Sequence, residues 1–325
     1  MLIRPELQVL RSNDAPQRSA QLALHTALQT WRTTGPGAQA EAELTRFHRG
    51  EPLDNLPLLY SLFCPADDGV RGFVDSLLHP LLCQLSSEPL GQSPLRFSTS
   101  DASSTVMLAR CGTSALSLQH VSGACLQRGA APRTAIFAPV ETWERVLSGL
   151  LQATRVRLCK AWDDRADLEC TPVSSATGDV RHRMGQSETL ILQSAPTSAV
   201  QLRLQRRTST CEPAREYDLT GGRLLHQAAG TPRDSRLELT ASLLGRMKRV
   251  DAAPILAAMA EEQGSDSLRW QALRECLALD TAIGFRTLCT LAERRDDPLR
   301  PPAAALRSQL LQLHPQLNGV ALCPA

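Results

Sequence analysis

The hydrophobic period of this chain changes twice along its 325 residues. Up to about residue 88 the apolar residues recur at helical spacing, from about 94 to 228 they alternate, and from Asp234 onward helical spacing returns. A helix repeats every 3.6 residues and a strand every two, so one apolar pattern cannot serve both. The expected class is therefore α+β in three regions: helical residues 1–93, antiparallel β residues 94–230, and helical residues 231–325.

In the first region Ala20, Leu22, Ala23, Ala27, Leu28 and Trp31 form one stripe, ended by Thr33-Thr34-Gly35-Pro36-Gly37. Gln39 to Arg49 reads as a short second helix stopping at Gly50. Val70, Phe73, Val74, Leu77, Leu78, Leu81 and Leu82 give a third helix a broad buried face, with Pro80 expected to bend or end it. In the alternating region Ser104–Arg110 and Ser114–Val121 flank Cys111-Gly112-Thr113, a hairpin signal. Further strands are expected at 134–138, 145–147, 153–159, 188–193, 200–205, 215–219 and 223–226. Many short strands without intervening helices imply a sandwich or a small barrel.

The last region contains an echo. Asp266-Ser267-Leu268-Arg269-Trp270-Gln271-Ala272 and, 31 residues on, Asp297-Pro298-Leu299-Arg300-Pro301-Pro302-Ala303 share the frame Asp-x-Leu-Arg-x-x-Ala. A capping Asp followed by an Arg and a closely packed Ala, repeated at a fixed period, suits stacked helical pairs. The region resembles the HEAT family of helical repeats. That resemblance implies a protein-binding array, with Arg269, Trp270 and Arg300 as candidate partner-binding residues. Leu268, Ala272, Leu273 and Cys276 are expected to face inward.

Val140-Glu141-Thr142-Trp143-Glu144-Arg145 leading into Val146-Leu147-Ser148-Gly149 and Arg155-Val156-Arg157-Leu158 resembles the strand-turn-strand of a cupin barrel. The resemblance implies a cupin-like β-barrel with a ligand site at its mouth. Cupin metal sites need a His-x-His just upstream of the glutamate, and residues 126 to 143 contain no histidine. Imidazole ligation of a divalent ion requires two or three converging nitrogens, so the barrel is expected to be metal-free.

Chemistry is sparse. There is no Walker loop, Gly-x-Gly-x-x-Gly or His-Glu-x-x-His. Arg181-His182-Arg183 is the densest basic cluster and is expected to be a solvated loop. Arg203, Arg206, Arg207, Arg215 and Arg223 lie on expected strands, interleaved with Glu212, Glu216 and Asp218, which favours ion pairs on a solvent face. Arg203, Arg215, Tyr217 and His226 are the candidate ligand-binding residues. No catalytic residue, cofactor or metal ligand is assigned.

A formal charge of +2 and 4% aromatic residues argue against nucleic acid as partner. Lys160 and Lys248 are the lysines among 35 basic residues, a bias towards arginine that fits a GC-rich bacterial genome. The ten cysteines are scattered without a Cys-x-x-Cys pair, as expected of buried free thiols in a reducing cytoplasm. The leading expectation is a non-enzymatic accessory or interaction protein of the bacterial cytoplasm with a protein partner. The alternative is an enzyme or small-ligand sensor using the barrel mouth. Nucleic-acid binding by the helical array comes third.

Overall fold

The structure, a computed structural model, describes residues 13–66, 68–129, 132–208 and 212–321. The chain divides into two compact units, residues 1–208 with 217–224 and residues 209–216 with 225–325. The boundary expected at residue 93 falls inside the first unit.

The first unit opens with helices α1 (Ala15–Thr33), α2 (Gly35–His48), α3 (Pro57–Leu62) and α4 (Gly69–Ser87). Of the two effects expected of Pro80, it does not end α4: the helix continues seven residues past it. The strands are β1 (Phe97–Thr99), β2 (Ser103–Cys111), β3 (Ser114–Ser122), β4 (Thr134–Phe137), β5 (Val140–Ser148) and β6 (Leu150–Ala161). They continue as β7 (Ala166–Ala176), β8 (Val180–Met184), β9 (Glu188–Ser194) and β10 (Ser198–Arg207), and the residues of β11 (Ala214–Asp218) and β12 (Leu224–Ala228) are divided between the two units. A short helix, α5 (Gly123–Arg128), follows β3 and is capped by the Ser122 hydroxyl.

The strands do not close into one barrel. They form an antiparallel six-stranded sheet in the order β1-β2-β3-β10-β5-β8 and two three-stranded sheets, β7-β6-β9 and β12-β11-β4. The chain crosses from the first sheet to the β7-β6-β9 sheet at Gly149, which sits at φ +88° between β5 and β6. A Cβ there would collide with the Ser198 carbonyl oxygen, so glycine is required on both counts. This is the Val-Leu-x-Gly turn of the sequence.

The two faces of the six-stranded sheet differ. On one, Leu108, Leu116, Leu202 and Leu204 join Leu24, Leu44, Phe47 and Leu77 of the helices in a single buried cluster. The sheet's outward arginines serve this junction. Arg145 Nη1 donates to the carbonyls of Leu62 and Cys64, at 3.3 and 2.9 Å, and Arg206 Nη1 to those of Phe47 and Glu51, at 3.2 and 3.1 Å. The opposite face turns to the β7-β6-β9 sheet, where Val121, Val146, Leu151, Ala195 and Ala199 pack together.

In the second unit, α6 (Pro232–Arg246), α7 (Ala253–Glu261), α8 (Asp266–Leu279), α9 (Thr281–Glu293) and α10 (Arg300–Leu313) bury a cluster around Leu256, Ala272, Leu273, Phe285, Leu288 and Ala303. The cap of α6 is Thr231, whose hydroxyl accepts from the Asp234 N–H at 3.0 Å. Asp280 caps α9 in the same way.

The eight cysteines among the described residues are free. Cys276 is buried, whereas Cys83, Cys159 and Cys170 are exposed, against the expectation of buried thiols. Cys211 and Cys323 lie outside the described residues. No helix among the described residues is long and apolar enough to cross a membrane.

Candidate functional site

The inward face of the six-stranded sheet carries a row of polar side chains. Strand alternation sends Glu144 inward and its neighbour Arg145 to the helices, and it sends Arg203 inward while Leu202 and Leu204 pack on the helical side. The register then sets Arg203 directly opposite Glu144, and Glu144 opposite Arg181 on β8. Gln201 pairs with Gln119 of β3 in the same row.

This row lines a cavity of about 140 Å³ between the two sheets. Gln119, Glu144, Arg181, Arg183, Gln201 and Arg203 form its polar side. Val146 on β5, Leu151 and Ala153 on β6, and Leu190 and Leu192 on β9 supply its apolar side, with Ser175 of β7 and Asp179 completing the wall. The described lining therefore holds one hydroxyl and neither histidine nor cysteine.

Glu144 is the pivot. Its Oε1 lies 3.0 Å from both Arg183 Nη2 and Arg203 Nε, with all three side chains largely buried. Burial works against its charge, yet the Arg183 and Arg203 guanidiniums hold its carboxyl below the usual carboxylate range. Arg203 is shifted down by burial against the pull of Glu144, and Arg181 likewise. Gln119 Oε1 accepts from Gln201 Nε2 at 2.6 Å and from Arg203 Nη1 at 3.3 Å. Arg181 Nη2 reaches the Ser174 carbonyl at 2.6 Å. Arg183 Nε is buried without a partner. Arg203 Nε, although 3.0 Å from Glu144 Oε1, is likewise buried without a hydrogen-bond acceptor, and a buried guanidinium N–H normally finds one, so the arginines that line the cavity are not fully satisfied by the protein.

Of the expected ligand-binding residues, only Arg203 lines this cavity. It does form an ion pair, but inside the fold with Glu144 and not on a solvent face. Tyr217 is fully buried in a separate cluster, edge-on to Phe137 with ring centroids 5.9 Å apart. Arg215 lies on β11 with its Nε 3.4 Å from Gln227 Oε1, and His226 is exposed on β12. Arg181-His182-Arg183 is a strand and not a loop: β8 alternates, aiming both arginines inward while His182 stacks on Trp143 at 4.3 Å.

Glu141, the glutamate of the cupin-like segment, is engaged by arginine. Arg206 donates to its Oε2 through Nε and Nη2 at 2.9 and 2.6 Å, and His182 Nε2 lies 3.0 Å from its Oε1. The histidine near this glutamate thus comes from the neighbouring strand, which local sequence could not show. Among the described residues no group of three or more His, Cys, Asp or Glu is placed to hold a metal ion.

In the helical unit Arg269, a candidate partner-binding residue, is buried. Its Nη1 and Nη2 donate to the two Asp297 carboxylate oxygens at 3.0 and 2.5 Å, and its Nε to the Ala260 carbonyl at 3.0 Å. Arg300 does not repeat this role; it is exposed at the first position of α10. Trp270 is half-buried against the helical cluster and lines an apolar groove with Leu277, Leu306, Leu310 and Leu317.

No protein-family model matches the chain, and no curated protein sequence does. Solved structures similar to it include cupin-superfamily proteins. KdgF from Halomonas sp. is 11% identical, with 35% of this chain and 88% of that one covered and a TM-score of 0.25. A cupin superfamily protein from Desulfitobacterium hafniense DCB-2 is 12% identical over 34% of this chain and 83% of its own, with a TM-score of 0.24. The capsular polysaccharide assembling protein CapF from Staphylococcus aureus is 14% identical, covering 53% of this chain and 46% of that one, with a TM-score of 0.28. At these scores the likeness carries no statement about activity.

Proposed function

We propose that the chain is a binding protein whose β region holds a small anionic ligand between its two sheets. The carrying observation is the arginine-lined cavity of about 140 Å³, in which Glu144 is paired with Arg183 and Arg203 and a buried Arg183 N–H lacks an acceptor. Guanidinium forks bind carboxylates and phosphates, and the cost of desolvating them has already been met in the folded protein. The lining groups supply recognition and no nucleophile beside a base, which favours binding over covalent chemistry. Thermal-shift titration with a panel of small carboxylates and inorganic phosphate tests the reading. A bound anion should raise Tm in a concentration-dependent way, and Arg203→Gln should abolish the rise. A Tm unmoved by every anion at millimolar concentration would refute it.

The second reading is a protein partner on the HEAT-like helical unit. Trp270 beside Leu277, Leu306 and Leu310 favours it, because aromatic anchors in apolar grooves carry much of an interface's energy. A complex purified from the native host should lose its partner on Trp270→Ala and keep it on Arg203→Gln. The reverse pattern would make the β region the partner-binding part.

A further inference from the structure

We infer that the ligand of this cavity is a small apolar monocarboxylate, of the size of benzoate or 2-methylpropanoate, with its carboxylate on Arg183 and its carbon body against the β6–β9 wall. This rests on the anion-binding reading of the same cavity and adds charge, size and orientation to it.

Charge comes first. Of the charged groups that line the cavity, Arg183, Arg203 and Glu144 are largely buried while Asp179 is exposed, so two buried guanidiniums face one buried carboxylate and one positive charge is left over. A monoanion balances that excess. A dianion would leave a net negative charge beside the largely buried Glu144, which is costly.

Size is the second constraint. An apolar cavity of roughly 150 Å³ accommodates benzene, and this one measures about 140 Å³. A six-membered ring or a branched chain of a few carbons fits; a sugar acid or a nucleotide does not.

Orientation follows from the two walls. The vacant Arg183 Nε lies on the same guanidinium that gives Nη2 to Glu144 at 3.0 Å. Arg183 also lines the cavity, so a carboxylate held there is paired with this guanidinium. Leu151, Ala153, Leu190 and Leu192 stand on the other sheet and offer the carbon body an apolar surface.

Isothermal titration calorimetry on the full chain decides the matter, with benzoate, its neutral isostere benzamide, succinate, formate and inorganic phosphate as probes. Benzoate should bind one to one, and benzamide at least tenfold more weakly. Arg183→Gln should weaken benzoate by roughly tenfold to a hundredfold, as loss of a charged hydrogen bond does. Ala153→Leu, which fills the apolar end, should remove benzoate binding and spare formate. Benzamide binding as tightly as benzoate would overturn the inference, as would undiminished benzoate binding by Ala153→Leu; the latter decides even if Arg183→Gln fails to fold. Succinate or phosphate binding more tightly than benzoate would overturn the monocarboxylate while leaving an anion site standing. No heat with any anion would overturn both.

Discussion

Glu144 shows how one buried carboxylate can organise a site. It accepts from Arg183 and forms an ion pair with Arg203, and the two guanidiniums in turn keep it ionised. Removing one member of such a cluster leaves uncompensated charge, so Glu144→Gln should cost about 3 kcal/mol in urea unfolding at pH 7. The pH dependence has a definite sign. Because the folded carboxyl lies below its ordinary value, its stabilisation is complete above the unfolded carboxylate range, near about 4.3, and is lost as pH falls through the lower folded value. Wild-type stability should therefore drop between neutral and acid pH more steeply than that of Glu144→Gln. Equal slopes would show that Glu144 is not held ionised. Asp297 obeys the same rule in the helical unit: the hydrogen bonds from Arg269 hold its carboxyl down. Asp297→Asn should cost about 3 kcal/mol by leaving Arg269 buried without its partner.

At the scale of elements, close approach and burial decide which substitutions matter. Gly149→Ala would place a side chain at φ +88° against the Ser198 carbonyl, at the crossing between sheets. A loss of about 1–3 kcal/mol is expected from backbone strain alone, and benzoate affinity should fall with it because β6 carries one wall of the cavity. On α8, Leu273 is fully buried and its neighbour Arg274 is exposed, about 100° round the helix. Leu273→Asp should unfold the helical unit, whereas Arg274→Glu should stay within about 0.5 kcal/mol of wild type by circular dichroism melting. A mild Leu273→Asp would show that α8 does not pack as described.

At the scale of the whole molecule, the buried clusters of the two units share no residue: one runs from Leu24 to Leu204 and another from Ala241 to Leu317. Separate cores unfold as separate cooperative units. Calorimetry should resolve two transitions, with Leu273→Asp removing one and leaving the other in place. A single transition lost altogether in that variant would show the two cores to be energetically one. The N-terminal helices, by contrast, share the first core with β2, β3 and β10, so Leu44→Asp should melt helices and strands together.

The order of helix, strand and helix was legible in the sequence because period depends on local backbone geometry. The β2–β3 hairpin at Gly112, the turn at Gly149 and the buried Leu-x-x-x-Ala frame of Leu268 with Ala272 and Leu299 with Ala303 were readable for the same reason. The strand β7 was missed because its residues are mostly exposed and its apolar alternation, Ala166, Leu168 and Cys170, is short and weak. The site was not legible either. Alternation says that Arg203 and Arg183 point away from Leu202 and His182, but a polar stripe looks the same whether it meets water or lines a cavity. Only the packing of the β7-β6-β9 sheet over that face, and the register that sets Arg203, Glu144 and Arg181 side by side, turned an ordinary polar stripe into the lining of a cavity. The two copies of the echo parted for a similar reason. Arg269 and Arg300 occupy matching positions in sequence, but a buried carboxylate, Asp297, stands opposite only the first.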